Sequence, residues 1–182
     1  MEFEDFLQGL SSTNSVLRHQ WWVRFQDAET CAKSCVEDKW EFVDITSVIL
    51  THNNLWHSDG TVEIDPGSLE SGSLYHEIFH SALHKAPFKI KAEENKPNYE
   101  LYVECLCNAF QYFMETSLGP SGGWVARLED WRLKTWGELI YGSGDLPWDM
   151  TYGLPALEFI KACSRFEEFK RMFQAMNAKS SS

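Results

Sequence analysis

The sequence predicts a single α+β domain, with a small β-sheet packed on one central helix and a mostly helical C-terminal half. The chain has 182 residues, 43% of them hydrophobic, which suits one compact domain with its own core. Short β-branched and aromatic stretches are confined to the first 65 residues, and helical spacing dominates from about residue 68. We expect the domain to span residues 1–176 and the polar tail 177–182 to be disordered.

The N-terminal third is predicted to contain both helices and strands. Residues 2–10 suit a short helix. In residues 19–27, HQWWVRFQD, His19, Trp21, Val23 and Phe25 alternate with polar residues, with Trp22 the exception, which predicts a half-buried strand. Residues 27–38 place Ala, Cys and Val at helical spacing. Residues 40–50, WEFVDITSVIL, are rich in β-branched and aromatic residues, which is typical of a strand.

The middle of the chain is predicted to pass from a turn through a strand into helices. Residues 51–60 contain the turn pairs Asn-Asn and Asp-Gly. Residues 61–65, TVEID, suit either an ordinary sheet strand or an edge to which an extended peptide adds. Asp65 is placed to cap or orient the loop before the following helix. Helices are predicted over residues 70–85, 96–119, 121–142 and 154–177.

Charge and hydropathy exclude several functional classes. The formal net charge is −11 and the pI is about 4.9, so the chain is expected to repel the phosphates of nucleic acids. No apolar stretch approaches the roughly 20 residues that cross a bilayer. The N-terminus, MEFEDFLQGLSS, is acidic and lacks the pattern of a signal peptide. We therefore expect a cytoplasmic protein without a membrane or nucleic-acid partner.

The five cysteines favour reduced thiols, because their number is odd and no signal peptide precedes them. Cys31 and Cys35 form C-x3-C, and Cys105 and Cys107 form C-x-C. Together these pairs are an alternative structural zinc site. Neither spacing is the C-x2-C form typical of such sites, so we favour buried, apolar cysteines.

The segment 73–85, SLYHEIFHSALHK, carries the most specific pattern in the chain. His76 and His80 are four residues apart, so they share one helix face and can direct ring nitrogens to one point. Glu77 is rotated from His76 by about 100°, where a carboxylate reaches a metal-bound water without being a ligand. This is the H-E-x-x-H arrangement. Zinc lowers the pKa of its bound water to about 7, and the glutamate takes the proton as the water attacks a carbonyl.

A catalytic zinc site needs a third protein ligand, and the residues alone leave three candidates. His84 lies two helical turns, roughly 12 Å, beyond the first histidine, which a straight helix does not bring to one ion. The metalloprotease pattern that recruits a later histidine requires Gly and His where this chain has Leu83 and Ala86. Glu100 and Glu104, one turn apart on the next predicted helix, are the other candidates.

HEIFHSALH followed by ECLCNAF resembles the ImmA/IrrE family of gluzincin-type metallopeptidases. That family combines H-E-x-x-H with a later helix that carries E-x-x-A-N-x-F-A. Asn108 and Phe110 match this second motif, Cys107 stands where alanine is usual, and Gln111 stands where a small residue is usual. The resemblance covers about residues 60–115. We expect this single-domain chain to lack the helix-turn-helix module that often accompanies such peptidases.

The resemblance implies a zincin-like fold and a Zn²⁺ cofactor. It implies that His76, His80 and Glu104 bind the metal and that Glu77 is the catalytic base. The activity implied is a cytoplasmic endopeptidase that cleaves a protein or peptide substrate, such as a regulatory protein, often in bacteria or their mobile elements.

Several further residues are candidates for supporting roles. His84, Glu100 and Tyr102 are candidates for contacts with a metal ligand or with substrate, and Glu100 for holding the second nitrogen of a ligand histidine. A donor is also needed near the developing oxyanion. The candidates for that donor are Tyr99, Tyr102, His57 and Arg127.

Two other functions remain open. One is a catalytically silent metallopeptidase-like domain, used as a binding or inhibitor protein and possibly encoded by a mobile element; the intact Glu77 speaks against it. The other is a purely structural metal. A closed shell of that kind needs a fourth protein ligand, for which His84 or a cysteine is the candidate.

Overall fold

The computed structural model shows an α+β arrangement with a three-stranded mixed sheet and mostly helical content. It describes residues 1–11, 15–36, 40–69, 72–86, 96–119 and 160–178, except for the side chains of residues 96–102 and 176–178. The predicted helix 121–142 and residues 154–159 of the predicted last helix lie outside the described residues. None of the described helices is long and apolar enough to cross a bilayer.

The described elements follow the predicted order in part. They are α1 (Phe3–Gly9), α2 (Ser15–Val36), β1 (Ser47–Leu50), β2 (Leu55–Trp56), β3 (Thr61–Ile64), α3 (Pro66–Leu69), α4 (Ser73–Leu83), α5 (Lys96–Leu118) and α6 (Phe166–Ala178). The predicted short N-terminal helix, the strand at 61–65 and the helix at 96–119 are confirmed. Helix α6 continues two residues into the segment 177–182 that was predicted to be disordered.

The sheet has the order β1-β3-β2, so β3 is its central strand. It pairs in parallel with β1, with Val62 opposite Val48, and antiparallel with β2, with Val62 opposite Trp56. The suggestion that strand 61–65 is an edge is therefore wrong. In the described sheet the edge strands are β1 and β2, and β2 is a two-residue strand inside the segment predicted to be a turn.

The predicted strand at residues 19–27 is wrong, because this stretch belongs to the long helix α2. The buried residues of α2 lie at helical spacing: Trp21, Phe25, Ala28, Ala32, Cys35 and Val36. Val23, which the alternating pattern placed with the buried residues, is 56% exposed. The helical period thus prevails over the apparent alternation.

The predicted strand at residues 40–50 shortens to β1, because Trp40 and Val43 hydrogen-bond to the C-terminal end of α4. The indole Nε1–H of Trp40 donates to the carbonyl of Ala82 at 2.8 Å. The backbone N–H of Val43 donates to the carbonyl of Ser81 at 3.1 Å. The last carbonyls of a helix have no partner within the helix, so this segment satisfies the C-terminal end of α4.

Two predicted helices are shorter than expected. The helix predicted over residues 70–85 corresponds to α4, which begins at Ser73 directly after Gly72, whose φ is +76°; α3 is a separate short helix before residue 70. A Cβ at Gly72 would lie 2.5 Å from the Glu115 carboxylate oxygen Oε1, so this position requires glycine. The last predicted helix is broken at residues 163–165, before α6 begins.

Helix α4 is the centre of the core. The ring of Phe79 stacks on Phe110 of α5 with centroids 4.3 Å apart and an interplanar angle of 10°. Phe169 and Phe173 of α6 also contact Phe79, and Tyr75 packs on Trp21 of α2. Because these contacts occupy one side of α4, its other side is left to face β2 and the N-terminal half of α5.

Replacement of Gly60 by Ala is expected to destabilise the fold. Gly60 has φ +84°, and a Cβ there would lie 2.1 Å from the backbone oxygen of Asp44. We expect a loss of at least about 1–3 kcal/mol, the usual cost of a strained backbone conformation, measured by urea unfolding. The matched control is Gly67→Ala, where the nearest atom is the movable carboxylate of Asp65 at 3.0 Å. Equal unfolding midpoints for the two variants would contradict this prediction.

Candidate metal centre

A cavity of about 160 Å³ lies between β2, α4 and α5. The residues that line it come from all three elements: Asn54, Leu55, Trp56, His76, Glu77, His80 and Glu104. The described structure therefore brings the predicted base and the three residues predicted to bind metal to one place.

The two histidines of α4 face the cavity together, as their spacing predicts. The ring centroids of His76 and His80 are 5.1 Å apart. Only 10% of the His76 side chain and 18% of the His80 side chain are exposed. Burial lowers the pKa of His80 to about 4, and the neighbouring His76 acts in the same direction. His80 is therefore neutral near pH 7, which is the form of imidazole that binds a metal.

Glu104 reaches both histidines from α5. Its Oε2 lies 3.0 Å from Nε2 of His76, and its Oε1 lies 3.6 Å from Nε2 of His80. Two oxygen or nitrogen ligands of one tetrahedral zinc ion are about 3.4 Å apart, given the usual bond lengths. Each histidine is therefore about as far from Glu104 as two ligands of one zinc ion are from each other, with a different carboxylate oxygen in each contact.

The charges at this cluster also fit a cation. Burial tends to raise the pKa of Glu104, but the hydrogen bond with His76 and the charge of both histidines outweigh it and lower the pKa. Burial tends to lower the pKa of His76, but the hydrogen bond with Glu104 and the nearby carboxylates raise it. Without metal, a proton on Nε2 of His76 is thus held against Glu104. A metal ion at this point replaces that proton.

Asn108 orients the first histidine. Nδ1–H of His76 donates to Oδ1 of Asn108 at 3.0 Å, which directs Nε2 toward Glu104. A hydrogen bond to the second ring nitrogen is the usual support of a metal-binding histidine. Glu100, predicted for this role, has its side chain outside the described residues. The available signal for Asn108 was its position one turn after Glu104 on α5.

The amide nitrogen of Asn108 argues for a role beyond packing. Nδ2 is buried and has no hydrogen-bond partner in the described part of the chain. Such a group costs about 1–3 kcal/mol, so an apolar residue of similar size would serve packing better. The carbonyl oxygen that holds His76 explains why an amide is present here.

Glu77 also lines the cavity, but it lies farther from Nε2 of His80 than Glu104 does. Its side chain is almost fully buried, and Oε2 is 4.0 Å from Nε2 of His80. Burial raises its pKa to about 7, although His76 and a hydrogen bond from the backbone of Trp56 act to lower it. A carboxylate with a pKa near 7 can both accept and return a proton near neutral pH.

The β2 strand forms a fixed wall of the cavity. Asn54 accepts a hydrogen bond from the backbone N–H of Asp65 and donates to Oγ of Ser68. The indole N–H of Trp56 donates to Oγ of Ser81 on α4 at 2.7 Å. Asp65 in turn accepts hydrogen bonds from the first backbone amides of α3, as predicted for a residue that caps this turn.

Of the other predicted candidates, the two whose side chains the structure describes, His84 and His57, do not line the cavity. His84 is exposed and packs against the ring of Trp56 at 4.9 Å. His57 pairs with Glu63 at 2.8 Å, on β3. The remaining candidates lie outside the described residues: the side chains of Glu100, Tyr99 and Tyr102, and all of Arg127.

The described structure does not bring the two cysteine pairs of the alternative zinc site into one ligand group. In the described part of the chain, the candidate ligand group with all atoms within 4.8 Å of one another comprises His76, His80 and Cys107. Cys31 and Cys35 do not belong to it. Burial raises the pKa of Cys107 well above its ordinary value, and Glu104 adds to this effect. Cys107 does not line the cavity, whereas Glu104 does.

Comparisons of the chain with models of protein families, with curated proteins and with solved structures find no match. Function is therefore inferred from the chemistry of the site.

Replacement of Asn108 by Ala is expected to weaken Zn²⁺ binding by roughly 10- to 100-fold, the usual effect of removing the support of a ligand histidine. The measurement is a competition titration with a chromophoric chelator. The matched control is Thr116→Ala on the same helix, because its hydroxyl bonds only the backbone oxygen of Tyr112. Unchanged affinity in the Asn108 variant would contradict the assignment.

Proposed function

We propose that this chain is a zinc-dependent endopeptidase of zincin-like fold, related to the ImmA/IrrE family. In this proposal His76, His80 and Glu104 hold Zn²⁺ and Glu77 is the general base. The observation that carries the proposal is the convergence of these four side chains on one cavity, with donor spacings of 3.0 and 3.6 Å. The chain's own sequence motif and its tertiary structure thus support the same ligand set.

In the proposed reaction the metal, Glu77 and Asn108 have separate roles. Bound zinc supplies a Lewis acid that polarises a carbonyl and lowers the pKa of water. Glu77 takes a proton from the attacking water and returns it to the leaving amine, a role that suits a buried carboxylate lining the same cavity as the proposed ligands. Asn108 keeps the ring of His76 in one orientation. Little of the side chain of Glu77 is exposed, so bulk water competes weakly for the proton.

The geometry favours an extended peptide as the substrate. In the described sheet β2 has one strand neighbour, β3, and its other side borders the cavity. Extended peptides add to such edges through backbone hydrogen bonds, although in this strand the backbone N–H of Trp56 already bonds the Glu77 carboxylate. Leu55 is 47% exposed and offers apolar surface to a substrate side chain. A regulatory protein with an accessible extended segment suits this arrangement.

The proposal places the enzyme in a reducing compartment, such as the cytoplasm. The structure contains no disulfide between the five cysteines, and disulfides are rare where thiols are kept reduced.

Replacement of Glu77 by Gln is expected to abolish cleavage and to leave Zn²⁺ bound, because the amide cannot accept the proton of the attacking water. Replacement of Glu104 by Ala is expected to lose zinc and activity together. The measurements are metal content by atomic emission and cleavage of a diverse peptide library followed by mass spectrometry. The matched control is Glu4→Gln on the exposed side of α1.

Two results would contradict this assignment. Zinc content that is unaffected by Glu104→Ala would remove Glu104 from the ligand set. Bound zinc in a wild-type chain that cleaves no peptide or protein would favour the silent binding or inhibitor protein instead.

Removal of the metal is expected to destabilise the fold, because an ion that binds only the folded chain stabilises it by mass action. At a free Zn²⁺ concentration of 100 times Kd, the expected gain is about 2.7 kcal/mol. The measurement is the thermal midpoint with Zn²⁺ and after dialysis against a chelator. The Glu104→Ala variant is the control, and its midpoint should respond little to either treatment.

A further inference from the structure

The thiol of Cys107 lies beside the two histidines that the proposed function assigns to the metal. Potential ligand atoms of His76, His80 and Cys107 all lie within 4.8 Å of one another. The Cys107 side chain is fully buried on α5. Three residues before it on the same helix, Glu104 approaches the same histidines. Residues three apart share a helix face, so α5 presents two potential third ligands to one histidine pair.

The spacing suits a shared ion. Nitrogen and sulfur ligands of one tetrahedral zinc ion are about 3.6 Å apart, given the usual bond lengths. Ligand atoms at the upper limit of 4.8 Å would therefore have to approach one another by about 1 Å, a shift that side-chain rotation can supply. The two third ligands differ in position, because Glu104 lines the cavity and Cys107 does not.

The two third ligands also differ in chemistry. Carboxylate oxygen favours hard ions such as Mn²⁺, whereas thiolate sulfur favours soft ions such as Cd²⁺ and Cu⁺, with Zn²⁺ between them. On binding, the thiol transfers its proton to solvent as the metal–sulfur bond forms. An ion held by sulfur lies toward the buried side, away from the cavity that contains Glu77.

We propose that Cys107 is an alternative third ligand, so that His76, His80 and Cys107 hold soft metal ions in a second binding mode. This inference rests on the histidine pair of the proposed function and adds a prediction about the identity of the ion. A hard or borderline ion is held with Glu104 and supports cleavage. A soft ion is held with Cys107 and inhibits.

The test is a titration of the metal-free full chain with Cd²⁺, followed by ultraviolet difference absorption. A sulfur-to-cadmium charge-transfer band is expected in the wild type and is expected to disappear in Cys107→Ala. The matched controls are Cys105→Ala, a buried cysteine two residues away, and Cys31→Ala, a partly exposed one. Both controls should retain the band. Cys107→Ser is the second variant if the alanine variant does not fold, as judged by its thermal midpoint.

The affinities for Cd²⁺ and Mn²⁺, compared between the Cys107 and Glu104 variants, give a second readout. Replacement of Cys107 is expected to weaken Cd²⁺ binding by roughly 10-fold or more and to leave Mn²⁺ binding nearly unchanged. Replacement of Glu104 by Gln is expected to show the opposite pattern. Equal losses of both ions in both variants would overturn the two-mode proposal.

The outcomes separate this inference from the proposed function. Cd²⁺ that binds without a sulfur band, or with a band that survives in both Cys107 variants, overturns the inference and leaves the His2Glu site intact. A chain that binds none of Cd²⁺, Mn²⁺ and Zn²⁺ overturns both.

Discussion

The stacking of Phe79 on Phe110 is the contact on which the candidate site depends. It brings α4 and α5 together with ring centroids 4.3 Å apart, and both rings are fully buried. Glu104 and Asn108 precede Phe110 by six and two residues on α5, so the same contact fixes their position along the axis of α4. In this position Glu104 lies at Nε2 of His76 and Asn108 lies at Nδ1 of the same ring. A shift of one turn, about 5.4 Å, would separate both residues from the ring.

The short-range parts of the site could be predicted from sequence, because they depend on one helix. The period of 3.6 residues places His76 and His80 together and His84 beyond them, and the structure agrees. The family resemblance led to Glu104. Contacts between elements were harder to predict, since β2 is only two residues long and has no period of its own. Its position depends on pairing with β3 and on hydrogen bonds from side chains such as Asn54.

The failure at α2 has a similar physical cause. Trp21, Val23 and Phe25 alternate with polar residues except at Trp22, and large aromatic residues suggest a strand. The helical partners of Trp21 and Phe25 are the small residues Ala28 and Ala32, which give a weak signal in a hydrophobicity pattern. The choice between the two periods is therefore made by tertiary packing, in which Trp21 lies against Tyr75 of α4.

The electrostatics of the cavity explain why a cation suits this fold. Two carboxylates and two imidazoles share about 160 Å³, and burying charged groups is costly unless opposite charge compensates them. Without metal, burial keeps His80 neutral and raises the pKa of Glu77 to about 7, so His76 alone carries positive charge against Glu104. In the proposed metal-bound state, a divalent ion would add the missing positive charge and bind the neutral form of both histidines. The residues whose burial is least favourable without a metal are thus those that such an ion would stabilise most.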